Sequence, residues 1–152
     1  MTLESAPLLL VEEDELLADI TAFRLELLGY SVQCVRTAKD ALARLAKDPL
    51  PSVVLIDTAL PDINGFELIN RMNADQRTHH IPIMVLSLDA DLNTVQRAHR
   101  SGAKEYLVLP YDPAVLEQKV HHLFELAASS APSANKSEKN PKSDKAAKAT
   151  AG

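Results

Sequence analysis

The chain has 152 residues, 46% of them hydrophobic, which is enough for one ordinary domain with its own core. A single cysteine excludes an internal disulfide, and the short apolar run near Met1 lacks a basic n-region, so we expect neither a signal peptide nor a membrane span but a cytoplasmic protein. The net charge of −5 is unevenly divided: residues 1–126 carry 11 Lys and Arg against 19 Asp and Glu, whereas residues 127–152 carry 5 against 2.

Short apolar runs and helical patterns alternate five times after a leader of residues 1–7. The runs that predict strands are, in chain order, LLLV, YSVQCV, PSVVLID, IPIMVLSL and EYLVL. Each is bounded by Gly, Pro or acidic residues, which is typical of strands that are buried on both faces. On this interpretation Cys34, in the second run, is expected to be a buried thiol.

The segments between the runs have apolar residues at three- and four-residue spacing, which predicts helices. The first pattern consists of Leu17, Ile20, Phe23 and Leu27. The later helices are predicted at Ala38–Ala46 after a Thr37 cap, Phe66–Met72, Asn93–Arg100 and Pro113–Leu126. Because parallel strands need right-handed helical crossovers, this order predicts a doubly wound α/β fold with a five-stranded parallel sheet between two layers of helices.

Residues 127–152 have a different composition, rich in Ala, Ser, Lys, Pro and Asn and without a large apolar side chain. Such a segment cannot bury enough surface to offset chain entropy, so we predict a disordered tail. Its lysines recur at every third position, namely Lys136, Lys139, Lys142, Lys145 and Lys148. This pattern favours a solubilising tether over weak, salt-sensitive binding to nucleic acid or to an acidic partner.

Acidic residues collect where the predicted strands end. Strand one ends in Glu12-Glu13-Asp14, strand three in Asp57, strand four in Ser87 and strand five in Leu109. In doubly wound folds this edge is where function is located, and oxygen ligands there suit Mg²⁺. A carboxylate beside Mg²⁺ can act as a nucleophile toward a phosphoryl group. The alternatives are solvated strand-end acids and a small α/β enzyme or flavin carrier, but no Gly-rich phosphate loop follows strand one.

Four blocks of the chain resemble, in order, the receiver domain of bacterial two-component response regulators. They are LLLVEEDELLADITAFRLELLGY, VVLIDTALPDINGFELI, IPIMVLS and GAKEYLVLPYDPAVLEQKV, and the resemblance covers residues 8–126. It implies a flavodoxin-like fold with strand order 2-1-3-4-5. It also implies that Asp57 is the phosphoacceptor, that Ser87 is the hydroxyl that follows the phosphoryl group, and that Tyr106 is the aromatic residue that moves with it.

The resemblance also implies a cofactor and partners. Mg²⁺ would be bound by Glu12, Glu13, Asp57 and the backbone carbonyl of Ala59. The phosphodonor would be a phosphohistidine on a sensor kinase or phosphotransfer protein, and a downstream protein would dock on helix four, strand five and helix five. The domain would not be an enzyme beyond self-catalysed phosphoryl transfer to and from Asp57.

Two positions depart from the family pattern. The second acid of the pair is usually Asp, and the extra methylene of Glu13 is expected to weaken the binding of Mg²⁺, which demands tight octahedral geometry. The family's lysine before the proline of strand five is replaced by Leu109, which cannot pair with phosphoryl oxygens. We therefore expect a single-domain receiver with atypical switching; the alternative is a pseudo-receiver that binds proteins independently of phosphorylation.

The remaining candidate residues have structural explanations. Asp62 and Gly65 are expected to shape the loop before helix three, with Gly65 supplying positive φ. Leu88, where the family has a small residue, either narrows access to the site or packs at the strand end. The adjacent pairs His79-His80 and His121-His122 point in divergent directions, so we predict surface histidines and no metal site there.

Overall fold

The computed structural model describes residues 7–130, which form one parallel sheet between two layers of helices. The elements are β1 (Pro7–Val11), α1 (Glu15–Leu27), β2 (Ser31–Val35), α2 (Ala38–Leu45), β3 (Val53–Asp57), α3 (Gly65–Ala74), β4 (Ile83–Ser87), α4 (Leu92–Arg100), β5 (Glu105–Val108) and α5 (Pro113–Ser130). The strand order is β2-β1-β3-β4-β5, and every neighbouring pair is parallel. The predicted doubly wound fold and its strand order are confirmed.

Two apolar cores lie on opposite faces of the sheet because successive side chains of a strand point to opposite sides. In β1, Leu9 and Val11 face the core beneath α2, α3 and α4, whereas Leu8 and Leu10 face the core beneath α1 and α5. The central strands β3 and β4 are buried along their whole length. Their carboxyl ends are therefore held by packing on both sides.

The edge strand β2 departs from the prediction of strands buried on both faces. Cys34 is exposed rather than buried, and only Val32 and Val35 of this strand are partly covered. The reason is its position: β2 pairs with β1 alone and lies at the margin of both helical layers. An apolar run in the sequence does not distinguish a central strand from an edge strand.

Helix α1 forms where its periodicity predicts a helix, but the predicted stripe is not the face that packs on the sheet. Asp14 caps the helix by accepting the N–H of Leu17 at 2.9 Å. The buried positions are Ala18, Thr21 and Leu25, whereas most of the apolar stripe faces away from the domain. Ala18 and Leu25 pack in the apolar core beneath α1 and α5.

Helix α5 continues to Ser130, four residues past the predicted end at Leu126. Its added turn is built from Ala and Ser, and Ala127 still packs against the core shared with α1. Residues 127–130, which the sequence assigns to the tail, therefore belong to α5, and residues 131–152, like residues 1–6 of the leader, lie outside the described part of the chain. Within residues 7–130, no helix has the length and apolar character needed to cross a membrane.

Candidate functional site

Asp57 is the last residue of β3 and lies almost entirely below the surface, with 7% of its area exposed. Its Oδ1 accepts the backbone N–H of Ala59 at 2.6 Å. The start of α3 lies directly beside this site, since the Gly65 N–H donates to the carbonyl of Thr58 at 3.1 Å. The carboxylate is thus fixed at the carboxyl edge of the sheet, where the sequence places the phosphoacceptor.

Glu12 faces Asp57 from the end of the neighbouring strand β1. It is only 3% exposed, and its Oε2 accepts the Asp14 N–H at 3.0 Å, whereas its Oε1 is buried without a hydrogen-bond partner among the described residues. Burial first, and then the neighbouring Asp57 carboxyl, raises the pKa of Glu12 from 4.5 to about 8. The Glu12 carboxyl is therefore mostly protonated at neutral pH.

Ser87 and Tyr106 are joined through the loop that follows β4. The Ser87 hydroxyl accepts the N–H of Asp89 at 3.0 Å and the Thr58 hydroxyl at 3.3 Å. The Tyr106 hydroxyl donates to the carbonyl of the same Asp89 at 2.5 Å, and its ring is buried. The backbone of Asp89 thus links the end of β4 to the aromatic residue of β5.

The carboxyl ends of the strands line a cavity of about 1190 Å³ that contains Glu12, Asp57 and Ser87. Leu109 lies on its wall, only 9% exposed, and packs in the apolar core shared with α1 and α5. Arg36, at the end of β2, is the only basic residue among those described as lining the cavity. Its guanidinium donates twice to the carbonyl of Glu13, at 2.9 and 3.2 Å.

The three acidic residues between β1 and α1 have different environments. Glu12 is buried against Asp57, Glu13 is exposed, and Asp14 is used as the cap of α1. Among residues 7–130 no group of three or more His, Cys, Asp or Glu side chains is arranged to hold a metal ion. Two carboxylates, one of them with an orphaned buried oxygen, nevertheless fit Mg²⁺, which commonly binds one or two carboxylates and keeps several waters.

Gly65 has a different role from the one predicted. It does not adopt positive φ; instead, a Cβ at this position would lie 2.6 Å from the carbonyl oxygen of Asp57. Asp62 braces a helix, because its two carboxylate oxygens accept the N–H groups of Ala38 and Lys39 at 3.0 and 2.8 Å. These two donors hold the pKa of Asp62 below its usual value.

The other singled-out side chains are at the surface. Leu88 is 79% exposed and lines the cavity, so its bulk stands at the entrance rather than packing at the strand end. The four histidines of the two adjacent pairs are exposed. His122 pairs with Glu105 at 2.6 Å and His121 with Glu125 at 3.2 Å, which are contacts between side chains of the surface.

Comparison with known proteins agrees with this architecture. Residues 8–121 match the family model of the response regulator receiver domain. The chain belongs to the response regulator receiver domain family. The receiver is 30% identical over 118 residues to the DNA-binding dual master transcriptional regulator RpaA of Synechocystis, covering 76% of this chain and 48% of RpaA. It therefore spans about half the length of that relative.

Two further relatives match over most of their own length. An uncharacterised 14.6 kDa protein from the sodA1 3′ region of Leptolyngbya boryana is 36% identical over 115 residues, covering 76% of this chain and 87% of that protein. The crystal structure of a putative response regulator from Chloroflexus aurantiacus superposes with a TM-score of 0.75 at 28% identity, covering 79% of this chain and 98% of the other. The receiver thus has the flavodoxin-like fold of its family.

Three residues near the site are not among those that the sequence predicts. Arg36 follows an edge strand, Thr58 follows Asp57, and Asp89 contributes through its backbone. The position of Thr58 directly after Asp57 is a usable signal, because it places a hydroxyl at the same strand end. Backbone contacts such as those of Asp89 leave no trace in residue type.

Proposed function

We propose that the receiver accepts a phosphoryl group on Asp57 from a phosphohistidine of a sensor kinase or phosphotransfer protein. The observation that carries this proposal is the buried Asp57 carboxylate, which ends β3 within a cavity large enough to admit a phosphoryl donor. An Asp57 oxygen attacks phosphorus, the N–P bond breaks, and its electron pair remains on the donor imidazole. The receiver is in this view a self-catalysing phosphoacceptor rather than an enzyme acting on a separate substrate.

Glu12 is the buried carboxyl group beside the proposed acceptor. Without a bound metal, burial favours its protonated form, which keeps a second negative charge out of the buried pair. On losing its proton, Glu12 would hold Mg²⁺ together with Asp57, and the bound ion would supply positive charge for the phosphoryl oxygens. Glu13 is exposed and would contribute through water, in keeping with weak metal binding.

Switching after phosphorylation is proposed to be atypical. Leu109 presents no charge to the cavity, so no ammonium from this position can pair with phosphoryl oxygens. A connection through hydroxyl groups remains, since the Ser87 hydroxyl accepts the Asp89 N–H and the Tyr106 hydroxyl donates to the Asp89 carbonyl. A Ser87 hydroxyl drawn to a phosphoryl oxygen would release the N–H of Asp89 and loosen the bond to Tyr106.

The output would pass through protein contacts of α4, β5 and α5. On this face Leu92 is 67% and Val108 38% exposed, and Lys119 bonds Glu105 at 2.8 Å across the β5–α5 boundary. A partner whose binding depends on the position of Tyr106 would distinguish the phosphorylated receiver from the unphosphorylated one at this face.

The test is incubation of the protein with a small phosphodonor and Mg²⁺, followed by intact mass spectrometry at neutral pH. We expect one phosphoryl adduct in the wild type and none in Asp57→Asn. The matched control is Asp91→Asn, which alters an exposed carboxylate beyond β4 and should leave the adduct in place. An adduct that persists in Asp57→Asn would refute the assignment.

A second candidate function is a pseudo-receiver that binds partners independently of phosphorylation. Leu109 favours it, because an aliphatic side chain packed in the core stabilises one fixed arrangement of the end of β5. The wild type would then give no adduct in the same experiment while still binding its partner.

A further inference from the structure

Helix α1 carries an apolar stripe on the face that points away from its own domain. Its members are 52 to 69% exposed and consist of Leu16, Ile20, Phe23 and Leu27. The residues that α1 buries, Ala18, Thr21 and Leu25, lie on the opposite side. A contiguous row of four large apolar side chains in water marks a surface that another molecule covers.

The spacing within the stripe is that of a two-helix seam. The steps from Leu16 to Ile20, Phe23 and Leu27 are four, three and four residues, which is the d-a-d-a order of a heptad. At about 100° per residue these positions fall within roughly 60° of arc, so they form one narrow ridge along the helix. A ridge of this shape packs against another helix rather than into a small-molecule pocket.

The charges beside the ridge distinguish a parallel helix pair from an antiparallel one. One flank carries Asp19 and Glu26, at the g positions of the heptad, and the other carries Arg24, at an e position. In a parallel pair each g residue faces the e residue five positions later in the other helix, which brings Asp19 of one copy against Arg24 of the other. In an antiparallel pair the acidic flanks face each other and repel.

We propose that the receiver forms a two-fold homodimer in which the two α1 helices pack in parallel along this ridge. A second copy fits because the flanks complement themselves: the Asp19–Arg24 match is made twice under one two-fold axis, as an isologous interface requires. Arg24 is 36% exposed and lies 3.7 Å from Glu117 of α5, so its guanidinium is already held at the rim. The interface is small, and the dimer is of the weak class.

The dimer would place both acceptor sites at the same end of the assembly. Leu16 and Ile20 belong to the ridge and also line the cavity that holds Asp57. The second copy would therefore cover one rim of the cavity. This arrangement does not depend on phosphorylation, and its test is separate from that of the acceptor.

Sedimentation velocity of the full chain over about 5 to 500 µM, the range expected for a weak interface, measures the association. We expect the weight-average mass to rise from the chain's 16.6 kDa toward twice that value, and Phe23→Glu to remain monomeric. The matched control is Asn70→Glu, which adds the same charge to an exposed position of α3 and should associate like the wild type. A wild type that stays monomeric throughout, or an equal loss of association in Asn70→Glu, would overturn the proposal.

A cross-linking experiment tests the direction of the helices. Leu27→Cys, in a Cys34→Ser background, should form a disulfide dimer upon mild oxidation because equivalent a positions face each other in a parallel pair. In an antiparallel pair the two Leu27 positions would be about 16 Å apart at 1.5 Å per residue, beyond the ~7 Å limit of a disulfide. Sedimentation of a dimer without this cross-link would refute the parallel arrangement. Asp19→Arg should weaken association, and adding Arg24→Asp should restore it.

Discussion

Replacing Glu12 with glutamine should change how the stability of the receiver depends on pH. Glu12 is buried beside Asp57 with one oxygen unpaired, and its pKa is raised from 4.5 to about 8. An acid whose folded-state pKa is raised stabilises the fold fully below its unfolded pKa, and this contribution is lost as the pH rises through its folded pKa. Glutamine has the same shape and remains neutral, so Glu12→Gln should not lose this stability as the pH rises.

The size of the effect follows from the difference between the two pKa values. A difference of about 3.5 pKa units at about 1.36 kcal/mol each gives an upper value on the order of 5 kcal/mol, developed between pH 4.5 and 8. Near pH 5 the two proteins should differ little. At pH 9 the free energy of unfolding of Glu12→Gln should exceed that of the wild type by several kcal/mol.

Urea unfolding followed by far-UV circular dichroism at pH 5, 6, 7, 8 and 9 would measure this difference. The buffers should contain EDTA, because a divalent cation would stabilise the ionised Glu12 and conceal the effect. Glu13→Gln is the matched control, since it makes the same substitution at a neighbouring carboxylate that is exposed rather than buried. A difference for Glu12→Gln that is flat between pH 5 and 9 would show that Glu12 is ionised in the folded protein.

Two further substitutions test the site. Leu109→Lys should enlarge the amide NMR shifts that a beryllofluoride adduct causes around Tyr106, because a charge-assisted contact contributes ~1.5 to 3 kcal/mol. Leu109→Met is the uncharged control. Large shifts already present in the wild type would contradict the reasoning. Gly65→Ala should lower the free energy of unfolding by about 1 to 3 kcal/mol and slow phosphorylation of Asp57, since the new Cβ would lie 2.6 Å from a backbone oxygen. Asn70→Ala on the same helix should do neither, and an unchanged melting temperature in Gly65→Ala would contradict the contact.

The sequence was sufficient for the parts of the fold that depend on periodicity and strand-end chemistry. Central strands, alternating helices and the placement of Asp57 and Ser87 at one edge follow from the order of apolar runs and the residues that end them. The face that a helix buries does not follow in the same way. In α1 the strongest apolar stripe is exposed, because the sheet is contacted through Ala18, Thr21 and Leu25 instead.

The contacts within the site could be predicted only in part. Burial of Glu12 and exposure of Glu13 depend on which way two adjacent side chains turn after β1, and adjacent acids of one type give no signal of this. The role of Gly65 is likewise set by the distance between two backbone segments rather than by its own conformational freedom. Such close approaches arise from tertiary packing, which lies beyond local sequence patterns.

The two sides of the Asp57 site are held in different ways. On the α3 side, the Gly65 N–H is hydrogen-bonded to the Thr58 carbonyl, and a Cβ at Gly65 would lie 2.6 Å from the Asp57 carbonyl oxygen, so no side chain fits there. On the β4 side, the loop is secured by exchangeable hydrogen bonds through Ser87 and Asp89. We therefore expect a group added to Asp57 to displace the hydrogen-bonded loop between β4 and α4 rather than the tightly packed start of α3.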